Sequence, residues 1–435
     1  MKISVIGCGY LGAVHAACLT ELGHEVIGVD VEPEKISLLA AGTAPFYEPG
    51  LAELLARSVA TGRLQFSTDI SNVRGSEVHF LTVGTPQLEG SDAADLRFVM
   101  AAFDSLLPYL GSGDLVVGKS TVPVGTARQL ADILTSHCSG ATLAWNPEFL
   151  REGFAIEDTL APDRLVYGLA ASDKRGESML DTVYARALAG RTPKIVTDFA
   201  TAELVKVAAN AFLATKISFI NAMAEVAEAT GADVTQLADA IGYDARIGRR
   251  FLNAGLGFGG GCLPKDIRGF MARSKELGVD QAFSFLGEVD QINNRRRERM
   301  VDLAKEVVGG SLVGKRVAVL GLAFKPDSDD VRDSPALDVA LRLVESGATV
   351  LATDPQAVET ARRRYPDLDY VTSAAEAAVG VDAVLLLTEW KEYRDLDPVE
   401  FGKLVGTKVI LDGRNCLEPS AWRAAEWTYR ALGRP

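Results

Sequence analysis

The 435-residue sequence predicts an α/β protein made of two Rossmann-like, doubly wound domains joined by a long central helix. Three observations carry that prediction. Short apolar runs alternate with helix-periodic segments near both ends of the chain, the pattern of parallel strands covered by crossover helices. Glycines at 7, 9 and 12 form GxGxxG between a first strand and a first helix. Residues 199–230 contain neither proline nor glycine, which predicts one helix of about thirty residues and roughly 45 Å.

Length and composition bound the rest. A chain this long exceeds a single hydrophobic core, and the predicted boundaries are 1–198, 199–308 and 309–435. Hydrophobic residues at 48% and charged residues at 24% are an ordinary soluble balance, and no apolar run is expected to reach the ~20 residues of a membrane span. The start, MKISVIGCGYLG, passes directly into strand and glycine-rich sequence without a signal-peptide pattern, so the expected location is cytoplasmic. A net charge of −13 disfavours nucleic acid and anionic membrane as partners. The five cysteines are scattered without a CxxC pair, which argues against a disulfide framework and against a metal site.

In chain order, residues 2–6 read as a buried strand, the glycines open a helix through about residue 21, and a second strand, 25–29, ends at Asp30. Glycines there let a pyrophosphate approach a helix N-terminus, and an acid some twenty residues on accepts bonds from a ribose. This predicts dinucleotide binding, with NAD preferred because Asp30 would repel a 2′-phosphate. Lys35 lies within reach of the adenosine end, or is a solvated helix lysine. Further strands at 78–82, 115–119 and 143–145, with helices near 95–107 and 126–136, complete a parallel sheet. Beyond their carboxyl ends lie TVGTP, STVPVGT and NPEFLREG, where ligands of such sheets bind. Thr85 and Thr121 therefore sit where a cofactor passes, although turn and cap roles are common for threonine. In the third segment Asn146 reads as an N-cap and Pro147 as the first helical residue, which places Glu148 and Glu152 one turn apart on one face. Dipole stabilisation alone would also select acids there.

On the long helix, Lys206 and Asn210 are four residues apart and share the face of Ala202 and Leu213. An ion pair of Lys206 with Glu203 is the ordinary alternative; a lysine and an amide on a small, apolar face favour a buried functional pair. Residues 231–256 continue as helix and loop, with Arg246, Arg249 and Arg250 supplying local positive charge. After helical sequence to about residue 308 the second α/β unit has strands at 317–322, 349–353, 383–387 and 409–411, and a helix at 334–346. Lys325, Arg332 and Arg414 lie at its strand ends and suggest an anionic ligand.

The ten residues GFGGGCLPKD, 257–266, stand apart. Four glycines among the five residues before Cys262 strip the backbone of bulk beside a single thiol, so a ligand can come close. Lys265 follows, and a nearby cation favours the thiolate that attacks carbonyl carbon. A glycine turn with an inert cysteine is the alternative.

Together, GCGYLG, Asp30, STVPVGT, NPEFLREG, the Lys206 and Asn210 helix, GFGGGCLPKD and FKPDSDDVRDSP resemble the nucleotide-sugar 6-dehydrogenases of the UDP-glucose/GDP-mannose dehydrogenase family, over nearly the whole chain. The resemblance implies a four-electron oxidation of a sugar alcohol to a carboxylate with two NAD, UDP-glucose being the expected substrate and GDP-mannose the alternative. It implies that Cys262 is the nucleophile, that Lys206 and Asn210 stabilise the oxyanion, and that Glu152, Thr121 and Asp266 position water and assist proton transfer. It implies cofactor contacts from the fingerprint residues Gly7, Gly9, Tyr10, Leu11 and Gly12, and from Asp30, Lys35, Thr85, Thr121, Glu152, Lys265 and Arg332. Substrate contacts are implied for Glu148, Phe149, Leu150, Arg151, Glu152, Lys206, Asn210, Arg246, Phe251, Leu252, Asn253, Ala254, Gly255, Gly259, Cys262, Lys325 and Arg414. It also implies a homodimer through the central helix, with Arg246 lent to the neighbouring site. Leu11 stands where valine is usual and Gly261 where serine or tyrosine is usual. A two-electron hydroxyacid dehydrogenase shares the first domain but needs neither Cys262 nor the second α/β unit, and an NAD-binding regulator without turnover needs neither lysine nor thiol.

Overall fold

A computed structural model describes residues 1–435, which divide into two compact units: Met1–Ala209 with Arg268–Gly278, and Asn210–Ile267 with Val279–Pro435.

The first unit is built on an eight-stranded sheet. Its strands are β1 (Lys2–Ile6), β2 (Glu25–Val29), β3 (Leu64–Ser67), β4 (Val78–Leu81), β5 (Leu115–Gly118), β6 (Thr142–Trp145), β7 (Leu165–Gly168) and β8 (Lys194–Thr197), in the order β3-β2-β1-β4-β5-β6-β7-β8. The predicted parallel sheet extends from β3 to β6, but β7 runs antiparallel to β6, and β8 is parallel to β7. This departs from the all-parallel expectation because strand direction is set by the connection between strands, which the residues of LVYG and KIVT do not encode. Both faces of the central strands are buried, one under Ile3, Val5, Val14 and Leu19 and the other under Ile6, Val29, Leu81 and Phe103. Such two-sided burial is why the central strands read as near-continuous apolar runs. The Trp145 ring covers its β5 neighbour Gly118, where a Cβ would lie 2.0 Å from the indole. Because β1 pairs with β2 on one side and β4 on the other, the loops after all three strands meet at the point where strand order reverses.

The second unit has six parallel strands: β9 (Arg316–Leu320), β10 (Thr349–Thr353), β11 (Asp369–Tyr370), β12 (Ala383–Leu386), β13 (Val409–Asp412) and β14 (Thr428–Ala431), in the order β11-β10-β9-β12-β13-β14. This is the same winding as the first six strands of the other sheet. Helix Phe285–Val307 packs against helix Pro335–Glu345, which Ser334 caps by accepting from the Leu337 N–H. Arg296 is buried and reaches Glu228 at 2.7 Å, so the last turns of the long helix are tied into this unit.

The long helix spans Phe199–Thr230, and the division between units falls within it. Against expectation, it is long and apolar enough by composition to cross a bilayer. Its polar groups identify it as a core helix instead. Glu203, Lys206, Asn210, Ser218 and Asn221 are buried and each pairs with another part of the protein.

Candidate active site

The predicted site residues fall into two groups, one in each unit. In the first, Gly7 has φ +93°, and a Cβ there would overlap the Val83 backbone at 2.9 Å. Gly12 is as constrained, because a Cβ would lie 1.9 Å from the Gly7 carbonyl. Gly9 is different: nothing lies within 4 Å of its Cβ position, and it begins helix Tyr10–Glu21 without a side-chain cap. Open space before uncapped N–H groups is what a pyrophosphate requires. Asp30 accepts from the Cys8 N–H at 2.8 Å and the Glu32 N–H at 3.1 Å, and pairs with Lys35 at 3.2 Å. Burial lowers the Lys35 pKa, but Glu32 and Asp30 more than offset it, so the net shift is upward. These residues fit the phosphates and a ribose of a dinucleotide.

Thr85 donates to the Thr121 carbonyl at 2.8 Å and Ser120 to the Val83 carbonyl at 2.6 Å, which ties TVGTP to STVPVGT. Glu203 does not pair with Lys206. It accepts from the Gly125 and Ala127 N–H groups at 2.8 and 2.7 Å, at the start of helix Thr126–His137. Burial raises its pKa, and those N–H groups and Arg273 moderate the rise. Lys206 instead meets Glu148 at 2.9 Å, both side chains being largely buried.

The segment holding Glu148 and Glu152 is a correction. Residues 146–154 are loop and turn, and the helix begins only at Ala155. Asn146 is no cap: its amide donates to the Val166 carbonyl and accepts from Tyr184 and Lys119. Glu148 and Glu152 are therefore not on one helical face. Glu148 accepts from the Leu150 N–H, Arg151 pairs with Asp158, and the Phe149 ring lies 3.8 Å beneath the Arg164 guanidinium. Glu152 is buried in the turn. The turn is held by a residue that no motif or spacing singles out: Glu48 accepts from the Gly153 and Ala155 N–H groups at 2.6 and 2.7 Å and from the Tyr10 hydroxyl. Lys119 was equally hidden. It lines a cavity of about 50 Å³ with Asn146, Glu148 and Tyr184, and burial lowers its pKa to about 8, with Glu148 opposing and Lys206 assisting.

In the second unit Cys262 is exposed and directly precedes helix Leu263–Glu276, its carbonyl accepting the Asp266 N–H at 3.0 Å. A helix N-terminus favours thiolate. Asp266 is buried; it accepts from the Asn210 amide at 2.6 Å and pairs with Lys265 at 2.6 Å. An amide nitrogen carries two hydrogens, and the bond to Asp266 uses one of them and orients the Asn210 amide. Gly259 is required by its neighbour, since a Cβ would lie 2.3 Å from the Asp333 carbonyl, whereas Gly261 lies beneath the movable Arg332 guanidinium, 2.3 Å from where a Cβ would be. Arg332 itself pairs with Asp330 at 2.7 Å.

The other predicted ligand residues behave unequally. Leu252 and Ala254 point into a core with Ile220 and Val234, so they offer a ligand only main chain. Gly255 donates to Asn221, Asn253 accepts from Arg249, and Phe251 sits at φ +66°, a strained conformation for an aromatic residue. Arg246 is exposed and forks onto Asp244. The Lys325 ammonium lies 5.4 Å from the Phe324 ring centre. Arg414 is occupied in tying loops, donating to the Leu387, Gly257 and Phe324 carbonyls.

Comparison with known proteins decides the family. Residues 1–188 match the NAD binding domain of the UDP-glucose/GDP-mannose dehydrogenase family, 200–295 its central domain and 318–419 its UDP binding domain. The chain belongs to the UDP-glucose/GDP-mannose dehydrogenase family. As a member of that family it is an NAD-dependent dehydrogenase, and its substrate class is a nucleotide sugar. Its relatives include a UDP-glucose 6-dehydrogenase of Rhizobium meliloti (strain 1021), 41% identical with all of both chains covered. The UDP-glucose 6-dehydrogenase TuaD of Bacillus subtilis (strain 168) is also 41% identical, over all of this chain and 93% of the relative. Among solved structures, a UDP-glucose dehydrogenase from the hyperthermophilic archaeon Pyrobaculum islandicum superposes with a TM-score of 0.89 at 40% identity, over all of this chain and 98% of the other.

Proposed function

We propose that the protein oxidises UDP-glucose to UDP-glucuronate with two NAD, and that Cys262 carries the second half of the reaction. The observation that carries this reading is an exposed thiol at a helix N-terminus, one turn from a buried carboxylate that orients the Asn210 amide. Bound NAD, cradled by Gly7 to Gly12 and Asp30, supplies a hydride acceptor for each half, so each sugar yields two NADH. In the first half the C6 alcohol loses a hydride and a proton to become an aldehyde, with Thr121, Glu152 and Asp266 ordering the water that takes the proton.

An aldehyde has no second hydride to release readily until something adds to it. The Cys262 thiolate adds, forming an S–C bond while the carbonyl π electrons move to oxygen. Lys206 and Asn210, one helical turn apart, stabilise that oxyanion, each contributing about 2.7–4 kcal/mol if they act as other oxyanion donors do. Loss of the remaining C6 hydride restores the carbonyl as a thioester. Water then adds, the S–C bond breaks, and carboxylate, thiolate and protons result. On this reading Lys265 and Arg332 meet the cofactor, the loops around Glu148, Phe251 and Gly259 with Lys325 meet the sugar nucleotide, and Arg414 acts through the loops it ties.

The test is an end-point assay over a panel of nucleotide sugars, counting NADH per sugar, with Cys262→Ser in parallel. UDP-glucose should yield two NADH, and the serine variant should bind UDP-glucose and NAD yet make little acid. Faster oxidation of GDP-mannose at equal low concentration would overturn the substrate assignment, and two NADH at nearly the original rate in the serine variant would overturn the covalent step.

A homodimer and a cytoplasmic location belong to the same reading. Leu204, Phe212, Phe219 and Val226 are exposed on the long helix at spacings of seven and eight residues, one apolar stripe that a second copy would cover. Light scattering should give a dimer at micromolar concentration, and Phe212→Asp should shift it toward monomer; a monomeric unmodified protein contradicts the assignment.

A further inference from the structure

Asn293 lies in the middle of helix Phe285–Val307, fully buried among charged neighbours that the sequence QINNRRRERM does not distinguish from a solvated face. Its amide makes a closed pair of bonds with one residue of the loop before Cys262. The Oδ1 atom accepts from the Phe258 N–H at 2.7 Å, and Nδ2 donates to the Phe258 carbonyl at 2.9 Å. A side chain here does what a neighbouring strand does for a residue in a ladder. The approach is possible because the preceding residue is glycine: Gly257 has φ +90°, and a Cβ there would lie 2.0 Å from Asn293 Oδ1. Arg297, one turn along, reinforces the clamp from 3.4 Å at the Phe258 carbonyl while pairing with Asp333 at 2.9 Å.

Only Gly259, Gly260 and Gly261 separate the clamped residue from Cys262. Three glycines are the least self-ordering link a chain offers. Their backbone is held by the second unit itself, with Gly260 N–H donating to the Arg332 carbonyl at 2.9 Å and Gly259 packed beneath the Asp333 carbonyl. Phe258 is thus the last position before the thiol gripped at both its N–H and its carbonyl.

We infer that Asn293 is a positioning residue for the nucleophile: its amide clamp on Phe258 aims Cys262, so that its loss slows thiohemiacetal formation more than the first hydride transfer. This rests on the covalent reading of Cys262. A misplacement of about 1 Å can cost about 100-fold in rate, whereas the first oxidation does not involve the thiol.

The experiment is single-turnover NADH formation from UDP-glucose with enzyme in excess, for the unmodified protein, Asn293→Asp and Gly257→Ala. Asn293→Asp keeps shape and the acceptor for the Phe258 N–H but turns an acceptor toward its carbonyl, while Gly257→Ala displaces the amide from the other side. Both should give a first NADH within threefold of the unmodified rate and a second slowed about 100-fold. Thermal melts and UDP-glucose affinity are measured on the same samples. A second NADH at the unmodified rate in either folded variant overturns the inference. Equal slowing of both NADH, in step with lost stability, also overturns it and leaves Asn293 a structural residue only. If the unmodified protein gives no NADH, or keeps two NADH after Cys262→Ser, the parent reading fails instead and the inference falls with it.

Discussion

The two sheets share a winding and differ in what they leave open. Gly7 and Gly321 follow the first strand of each, at φ +93° and +107°, and each N–H donates to the last residue of the second strand at 2.8 Å. A Cβ on either would strike the residue two beyond the end of the fourth strand, Val83 or Thr388. Asp30 and Asp354 follow the second strands and both turn back to the first loop. There the likeness stops. Asp354 accepts from the N–H groups of Leu322, Ala323, Gln356 and Ala357 and from the Trp390 indole, five donors in all. Asp30 has three partners, one of them the half-buried Lys35. The first loop enters its helix at Tyr10, whereas the second runs on to Ser334 before a helix begins. One framework therefore leaves the acid and the helix end available to a dinucleotide in the first unit, and in the second consumes the acid in holding its own loops. Fold alone does not assign a ligand; the state of two or three groups does.

That contrast can be broken most forcefully at Asp354. Asp354→Ala would strand four buried donors and one half-buried one, and should cost about 3–5 kcal/mol in urea unfolding, since each unsatisfied group costs about 1–3 kcal/mol and some recover water. Asp30→Ala should cost clearly less, and equal losses would erase the distinction.

The fifth strands sharpen it further, because opposite buried charges stand at their ends, Lys119 just after β5 and Asp412 as the last residue of β13. Burial lowers the lysine from 10.5 to about 8 and raises the aspartate. Between pH 8 and 10.5 the unfolded chain holds a proton on Lys119 that the folded chain has lost, so this group's contribution to stability improves as pH rises. Lys119→Met should therefore be the more stable form at pH 7 by up to about 3 kcal/mol, at 1.36 kcal/mol per pKa unit, less whatever its lost bonds to Asn146 contribute. The advantage should shrink toward pH 10; a difference flat with pH would show that burial does not shift this lysine. Asp412 has the opposite trend, its contribution falling as pH rises from 3.8 toward its raised value.

The smallest expected effect is on selectivity. Asp30→Ala should narrow the NAD over NADP preference by about 10- to 100-fold in kcat/KM, or about 1.4–2.8 kcal/mol. Equal turnover with both cofactors in the unmodified protein would remove Asp30 from the recognition of ribose.

Strands buried on both faces and the proline-free helix were legible because local pattern and tertiary role agree there. β7 and β8 were not: at the sheet edge KIVT is largely exposed and carries no burial pattern, and the reversed direction of LVYG depends on the connection before it rather than on its own residues. In the site, spacing on a regular helix was enough to put Lys206 and Asn210 on one face. It could not supply their partners, because Glu148 and Asp266 arrive from distant segments. Asn146 and Pro147 carried a proper helix-start signal, yet three tertiary partners claim the asparagine amide and the chain stays open through residue 154. Asn293 gave no signal at all, since a clamp on backbone atoms leaves no trace in the clamped residue's identity.

Glu48 has a practical consequence for anyone redesigning this protein. One carboxylate oxygen is shared by the Tyr10 hydroxyl and the Gly153 N–H, while the other holds Ala155. Changes at 10, 48 and 153 will therefore not add, because each alters the same three-way contact. A library that varies the fingerprint at Tyr10 while holding Glu48 constant samples a cofactor loop and the turn carrying Glu152 together, and selection on one will be felt as drift in the other.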